Sequence, residues 1–453
     1  MGRKDCIARC ANEIFLLRSY SDRIGLEHGG PVIKFYLYIS SILISLGTNC
    51  MAMADMPGQK GHNFVIIEDN EFYQNHLSGI RIRGSIPVTI KRCKIYSNGR
   101  TGIFMDRCSE VVVAGCDIFE NGKYSGQIWR SAGINIEGAA HIAIENNSIF
   151  RNVAGVRILR GWEKKGRASI VKIVSNRIYA NSAGGIRSML QPGTKLDLAI
   201  IDNNIYQNKK GGIRVENDAK LKATGNNIYE NGTAGIISHV SVIPPKLDIY
   251  QNRVSFNRGP GIHVLNGMTG RIGIRNNWVF NNHLSGIVCG LWSSPNIRRL
   301  DVEIINNTVV SNGSSDQGAG IRNDSKGKVI IMNNIVAYNY VTGIMTRRCG
   351  EYSYNLLFAN GDVSNCCHDP DSAPYWIERR QFAGCAERGR GDLISDPLFT
   401  NPDNYDFFLQ DESPAVDAGK DKHIYNDTCF PPSKGTNRND VGATGGPYAA
   451  RES

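Results

Sequence analysis

The chain has 453 residues, 41% of them hydrophobic, with 49 glycines set among abundant asparagines. That supply of Gly and Asn calls for many turns and excludes a bundle of long helices. Lys and Arg exceed Asp and Glu by 52 to 42, and the net charge of +10 favours a polyanionic partner: nucleic acid, anionic polysaccharide or a membrane surface.

The only long apolar run, residues 35–46, is shorter than the roughly 20 residues that span a bilayer core, so no membrane span is expected in the mature chain. It follows Lys34 and precedes Ala52-Met53-Ala54, which is the order of charged start, apolar middle and small-residue exit of a secretory signal. Residues 1–54 therefore read as a leader with its signal portion at 32–54, cleavage is expected after Ala54, and the protein is expected to be secreted or periplasmic. Residues 1–31 carry no apolar period and read as an over-extended frame. Removing the leader leaves 46 basic against 38 acidic residues, or +8, so the basicity belongs to the exported part and nucleic acid is disfavoured as a partner. Nine cysteines remain, an odd number that cannot all pair within one chain.

From residue 63 onward the chain repeats. The dipeptide Gly-Ile, once Gly-Val, recurs with its second residue at Ile80, Ile103, Ile134, Val156, Ile186, Ile213, Ile236, Ile262, Ile287, Ile321 and Ile344. Ahead of each stands a pair of residues five apart, such as Asn70/Asn75, Cys93/Asn98, Cys116/Asn121, Asn203/Asn208 or Asn276/Asn281, and a last pair, Asn355/Asn360, follows. The shortest unit is 23 residues long and contains three short strands: V-x-I before the first Asn, an apolar pair after it, and G-I-x-I. A strand in such a unit can pair only with its copies above and below, about 4.8 Å away, so the units must stack as a coiled solenoid of about twelve coils. The first Asn is expected to sit in the left-handed backbone region at a bend, with its amide bonded to the same Asn one coil away, and the Gly is expected to take positive φ at the third corner.

These units resemble the right-handed parallel β-helix repeats of the pectate-lyase-like superfamily, over about residues 63–360. The resemblance implies an all-β solenoid domain at 55–360. A second resemblance lies in Asp396-Pro397-Leu398-Phe399, Asp406-Phe407-Phe408-Leu409, Ser413-Pro414-Ala415-Val416-Asp417-Ala418-Gly419 and Asp440-Val441-Gly442-Ala443, which are similar to the end of many secreted bacterial β-helix proteins. These clusters suit irregular coils closing the open end of the solenoid. Between the two, Cys366, Cys367 and Cys385, with Cys349 and Cys429 nearby, suggest a disulfide-rich insertion. Residues 361–448 are read as that insertion with the closing coils, and 449–453 as a tail.

The period of two points both Ile of G-I-x-I inward, leaving two outward rows on the sheet that floors the sugar groove of the resembled enzymes. The first row contains Arg157, Arg187 and Arg214 on consecutive coils. Guanidinium groups so close repel unless an anion or a carboxylate such as Glu216 offsets them, and planar forks suit a polymer with a carboxylate or sulfate on each sugar. The insertions after Val156, Ile186, Ile236 and Ile287 rise beside this sheet. They carry Trp162 and Trp292, while Trp129 lies on the other side, and all three are candidate stacking surfaces for sugar rings. His239 or His263 is a candidate base for a lyase or epimerase, and Asp106 with Glu137 is a candidate carboxylate pair for a glycoside hydrolase. The motifs of polygalacturonases, pectate lyases and alginate epimerases are absent, so no catalytic residue is carried over. No cofactor is identified; clustered Asp and Asn are compatible with Ca²⁺, without a dedicated ligand spacing.

The expected function is an exported, monomeric protein that binds an acidic polysaccharide and cleaves or epimerises it; whether it is catalytic stays open. Two alternatives stand beside it. One is a non-catalytic surface or periplasmic glycan-binding or structural protein. The other likens the chain to periplasmic β-helix proteins that help assemble copper enzymes, with the thiols and His263 as metal contacts.

Overall fold

The computed structural model describes residues 35–39, 42–46, 64–122, 131–161, 168–190, 195–216, 219–239, 246–265, 270–290, 300–314, 318–325, 327–347, 350–361 and 381–449. All of them belong to one unit, Lys34–Ser453. The expected cleavage site at Ala54 and Cys349, Cys366 and Cys367 lie outside the described residues.

One coil shows how the sequence produces the fold. Leu196–Ile201 points Leu196, Leu198 and Ile200 inward. The chain bends, lays down the three-residue strand Asn204–Tyr206 with only Ile205 inward, bends again, and closes with Ile213–Glu216, where Ile213 and Val215 are buried. Each strand pairs in parallel with its counterpart one coil away: Ile205 with Ile228, Ile213 with Ile236, Leu198 with Leu221. The short strands stack into a 13-stranded sheet, while the other two ladders run into one another through long strands such as Thr101–Ala114 and Ala132–Glu145. The interior is a column of Ile and Val. This is the parallel β-solenoid that the repeat implies.

Both asparagines of each pair, and not the first alone, build an amide ladder. Asn208 Nδ2 donates to Asn231 Oδ1 (3.0 Å) and to the Ile178 carbonyl (3.1 Å), while its own Oδ1 accepts from the backbone N–H and Nδ2 of Asn181 (3.1 and 2.9 Å). The ladder through Asn203 is built alike, with Asn176 and Asn226 as neighbours. Each ends on a side chain that can accept: Asp392 receives Asn355, and Gln381 receives Asn360. In the first ladder Cys93 and Cys116 replace two rungs, and the Cys93 N–H reaches Cys116 Sγ at 3.4 Å.

Two expectations about these corners are corrected. The left-handed backbone belongs to the residue before each Asn, such as Asp202 (φ 54°) and Gln207 (φ 52°), which frees the Asn itself to point inward. For the same reason the rungs in one coil are Asn277 and Asn282, which bond to Asn307 and Asn312, while Asn276 and Asn281 take the positive φ. The Gly of Gly-Ile is not there for positive φ. A Cβ on Gly185 would lie 2.6 Å from the Gly212 carbonyl oxygen and 2.7 Å from Ile205 Cγ2, so no side chain fits where successive coils approach.

On the outside of the short-strand sheet, Tyr73, Tyr96, Phe119, Phe150, Tyr179, Tyr206 and Tyr229 form one column of parallel rings with centroids 4.9–5.1 Å apart. Farther along, the C-terminal segment takes over that face. The antiparallel pair Phe399–Asn401 and Asp406–Leu409 packs Phe399, Phe407 and Leu409 on Phe280, Val310, Ala337 and Leu356. The chain then runs back past the earlier coils. Lys420 N–H donates to Asn333 Oδ1 (3.0 Å), Asn306 Nδ2 to the Asp440 carbonyl (2.8 Å), Asn276 Nδ2 to the Ala443 carbonyl (3.0 Å), and Gln251 Nε2 to the Ala449 carbonyl (3.2 Å). The segment is therefore a strap along the side of the solenoid, not a cover for its end, because its Phe and Val side chains find their apolar partners on that side. Cys429 is a free thiol, and Cys385 Sγ lies 3.2 Å from the Arg347 carbonyl. Within the apolar run, Phe35–Ile39 and Ile42–Leu46 pair antiparallel, and the second of them pairs antiparallel with Ser78–Gly84.

Two measurements test these contacts. Replacing Asn208 by Ala strips the Asn181 side-chain and main-chain donors of their acceptor, and should cost roughly 3 kcal/mol of stability in denaturant titration. The strap is held by carboxyls that burial pushes up, Asp427 to about 8 and Asp440 to about 6. Raised folded-state values mean that their stabilisation is complete below the unfolded value of about 4 and is lost as pH rises through 6 and 8. Hydrogen exchange in 415–446, corrected for its intrinsic pH dependence, should accelerate from pH 4 to 9, and Asp427→Asn should flatten that rise.

Candidate functional site

The Gly-Ile strands carry two outward rows, in the register that the period of two requires. Along the first, Phe104 pairs with Asn135, Asn135 with Arg157, Arg157 with Arg187, Arg187 with Arg214, Ile237 with His263, and Val288 with Arg322. The arginine ladder of consecutive coils is thus formed. The second row is less regular: the register shifts after Ile82 and again around Glu137, which stands opposite Arg160.

The three ladder arginines differ in environment. Arg157 is only 2% exposed, and its Nε and Nη1 find no hydrogen-bond partner among the described residues. Burial, with Arg187 beside it, pushes its guanidinium down to about 10, against the pull of Glu137. Burial also lowers Arg187, whose Nε is likewise unpartnered, while Glu216 3.9 Å away opposes the shift. Arg214 is more open and donates from Nε to Glu216. Glu216 therefore takes both Arg187 and Arg214, and among the described residues no carboxylate contacts Arg157. Asn135, 1% exposed, adds an unpartnered Oδ1.

Asp106 and Glu137 stand opposite one another on neighbouring coils. The oxygens of Asp106 face Arg81 (3.6 Å), Arg83 (3.6 Å) and Arg107 (3.3 Å), while Asn135 Nδ2 donates to Glu137 (3.3 Å). His263 is half-buried. Burial first, then Arg322, push its imidazole down to about 4, so it is neutral at neutral pH. His239 is paired through its backbone with Glu216 and Leu265, on the other row from His263. Its side chain, together with Trp129, Trp162 and Trp292 and the insertions 162–167, 191–194, 240–245 and 291–299, lies outside the described residues.

Sequence reasoning missed a second cluster on this sheet. Asp324, 3% exposed, lies 3.0 Å from Arg322 Nε and 3.6 Å from Arg347 Nε, and its Oδ1 has no hydrogen bond. The signal was present, since Arg322, Asp324 and Arg347 all fall on the outward rows. Among the described residues no three His, Cys, Asp or Glu side chains converge as a metal site. Burial pushes the Cys108 and Cys289 thiols up to about 12, away from the thiolate that a metal would take. Among the described residues no helix is long and apolar enough to cross a membrane.

Arg157→Met offers a direct probe. It removes a buried cation that makes no ion pair among the described residues and is opposed only at a distance by Glu137, so the ligand-free protein should gain about 1 kcal/mol or more in thermal or denaturant unfolding. A loss of stability would mean that the Arg157 guanidinium is satisfied within the native fold.

Two solved structures of the periplasmic alginate epimerase AlgG show backbone similarity. A single-substitution mutant is 12% identical over 68% of this chain and 78% of that one, with a TM-score of 0.41. The unmutated protein is 13% identical over 70% and 78%, with a TM-score of 0.38. No curated protein sequence matches the chain. The family described as right handed beta helix region matches residues 58–198 and 165–309, together more than half of the chain. With its asparagine-cornered coils and parallel ladders, the chain belongs to the right-handed β-helix family.

Proposed function

We propose that this is an exported protein that binds an acidic polysaccharide across its Gly-Ile sheet. The observation that carries the reading is Arg157: a guanidinium almost wholly removed from water, with two unpaired nitrogen atoms, lying between Asn135 and the partly buried Arg187. An uncompensated buried charge costs several kcal/mol, and an anion placed against it offsets that cost. Arg187 and Arg214 extend the site by one and two coils, and Glu216 fixes their orientation while cancelling one charge of the two. A carboxylate or sulfate on a sugar ring matches such forks bidentately.

Immobilised polygalacturonate or alginate should retain the protein saturably at low salt and release it as salt rises. The double variant Arg187→Ala/Arg214→Ala should lose about 10-fold or more in affinity while keeping its melting transition. Silence across carboxylated and sulfated glycans at low salt would reject the reading.

A catalytic reading is favoured by one further observation. His263 is a neutral imidazole on the same outward row, two coils before Arg322. Removal of the proton next to a uronate carboxylate needs such a base together with a cation to take up the carboxylate charge. On this reading His263→Gln abolishes the unsaturated or epimerised product but leaves binding intact. Because only the neutral imidazole accepts a proton, turnover should persist at pH 5 and fall below about pH 4.

A further inference from the structure

The first corner ladder is interrupted at two neighbouring rungs. Arg92 (φ 51°) and Gly115 (φ 63°) make the left-handed turn that precedes each corner asparagine, so Cys93 and Cys116 point inward where amides stand elsewhere, each 1% exposed. Lys91 pairs in register with Ala114, and Lys94 with Asp117, which sets one cysteine directly over the other. Both are free thiols. Each sulfur lies beside a carbonyl of its own coil and one of the coil before: Cys93 Sγ is 3.3 Å from the Lys91 and 3.6 Å from the Ile67 oxygen, and Cys116 Sγ is 3.4 Å from the Ala114 and 3.8 Å from the Ile90 oxygen.

Spacing decides what such a pair can do. Residues in register on a parallel ladder stand about 4.8 Å apart, and side chains that point the same way keep that distance at Cβ. A disulfide needs its Cβ atoms about 3.5–4.5 Å apart, so closing one would pull two coils together against the whole ladder. Two metal–thiolate bonds of about 2.3 Å laid end to end span about 4.6 Å, which matches the stack. Thiolates select soft cations, and a monovalent d10 ion such as Cu(I) is satisfied by two opposed sulfurs, whereas Zn²⁺ requires four ligands.

The corner also supplies what a thiolate needs. In the ordinary rungs a backbone N–H donates to the side-chain oxygen of the next rung, as Cys116 N–H does to Asn147 Oδ1 (2.9 Å). At the two sulfurs the equivalent donors are the N–H of Asn70, toward Cys93 Sγ, and the N–H of Cys93, toward Cys116 Sγ (3.4 Å). Hydrogen bonding to Cys116 lowers the Cys93 thiol against the effect of burial, while Cys116 itself is raised. Cys108 and Cys289, buried without such a partner, are both pushed up to about 12.

We propose that Cys93 and Cys116 form a two-coordinate site for a soft monovalent cation of the Cu(I) class, which joins two coils where the amide rung is missing. On binding, two S–H bonds give way to two metal–sulfur bonds, both protons leave to solvent, and no electrons are exchanged. The single negative charge that results is met by the two N–H groups, with Asp69 and Asp117 opposing. The site lies at the corner before the short strands, apart from the Gly-Ile sheet. Among the described coils only the one that begins with Val65–Glu68 precedes it, and local opening of that end coil admits the ion.

The test uses the full chain with its accessible thiols alkylated in the native state, equilibrated with Cu(I) against a competing Cu(I) chelator. Copper content, copper-edge X-ray absorption and the melting transition are compared in the wild type, in Cys93→Asn/Cys116→Asn, which restores amide rungs, and in Cys108→Ala/Cys289→Ala. The wild type should hold an ion with two sulfur neighbours and melt at a higher temperature with Cu(I) than without it. The Asn pair should lose that ion and that shift, with an affinity loss of at least the roughly 100-fold that removal of even a supporting partner can cost a metal site. Cys108→Ala/Cys289→Ala should keep both. If the Asn pair shows no melting transition, Cys93→Ser and Cys116→Ser each take its place, with the same loss expected. Equal copper content and equal melting shift in the wild type and in the folded Cys93 or Cys116 variants overturn the site. So does a Cys93–Cys116 disulfide in peptide maps of the unreduced protein.

Discussion

Register is the constraint on which the molecule depends. Every coil must place its two corner asparagines directly over those of the coil below, because each amide is at once the acceptor for one neighbour and the donor to the next. A slip of one residue would turn the Ile and Val side chains out to water and leave a buried N–H and a buried carbonyl unpaired at each corner. The same stacking explains why no side chain fits at the Gly of Gly-Ile, since carbonyl, amide and Ile side chain from adjacent coils converge on that point. It also explains how the aromatic column arises: residues two dozen places apart in sequence become parallel neighbours because the backbone has already aligned them.

The stacking that satisfies the backbone also imposes a penalty on charge. Two guanidiniums one coil apart repel by about 3 kcal/mol at an effective dielectric of 20, which is more than an ordinary surface pair gains. The protein meets this in different ways along one row. Glu216 offsets Arg187 and Arg214, Asp324 offsets Arg322 and Arg347, and Asp106 offsets the group around Arg81. Arg157 receives no such contact among the described residues, although it is the most buried of them. Stability alone would favour an apolar side chain there, and that is why the proposed anion site is centred on it.

Much of the fold was legible in the sequence because a parallel solenoid is a one-dimensional object: the spacing of five, the Gly-Ile dipeptide and the strand period together specify which residues stack. Legibility ended where two local solutions look alike in the sequence. Asn276 and Asn277 are chemically identical, and only the direction of the bend decides which becomes the rung. Glycine serves positive φ and close approach equally well, and the letters do not say which. Glu137 pairs with Arg160 because the register is irregular after Ile136, and no spacing in the sequence announces that. The rows of the site were readable, including the facing of Arg157, Arg187 and Arg214. The near-complete burial of Arg157 was not, since it depends on what packs around the sheet, and the sharing of one carboxylate among several arginines depends on rotamers. The strap was misplaced for a related reason: clusters of Asp, Gly and Pro announce irregular chain but not the surface it will lie upon.

The strap also divides the solenoid into halves with unequal freedom to change. It is tied to Gln251, Asn276, Asn306 and Asn333, which occupy equivalent corners on four successive coils, so its own length counts those coils. Duplicating or losing a unit there would throw every later tie out of step. Upstream of Tyr250 no described residue ties to the strap, and a unit could be added or lost there with only its two junctions to reform. Growth and shortening of this architecture over evolutionary time would therefore be concentrated in its amino-terminal half.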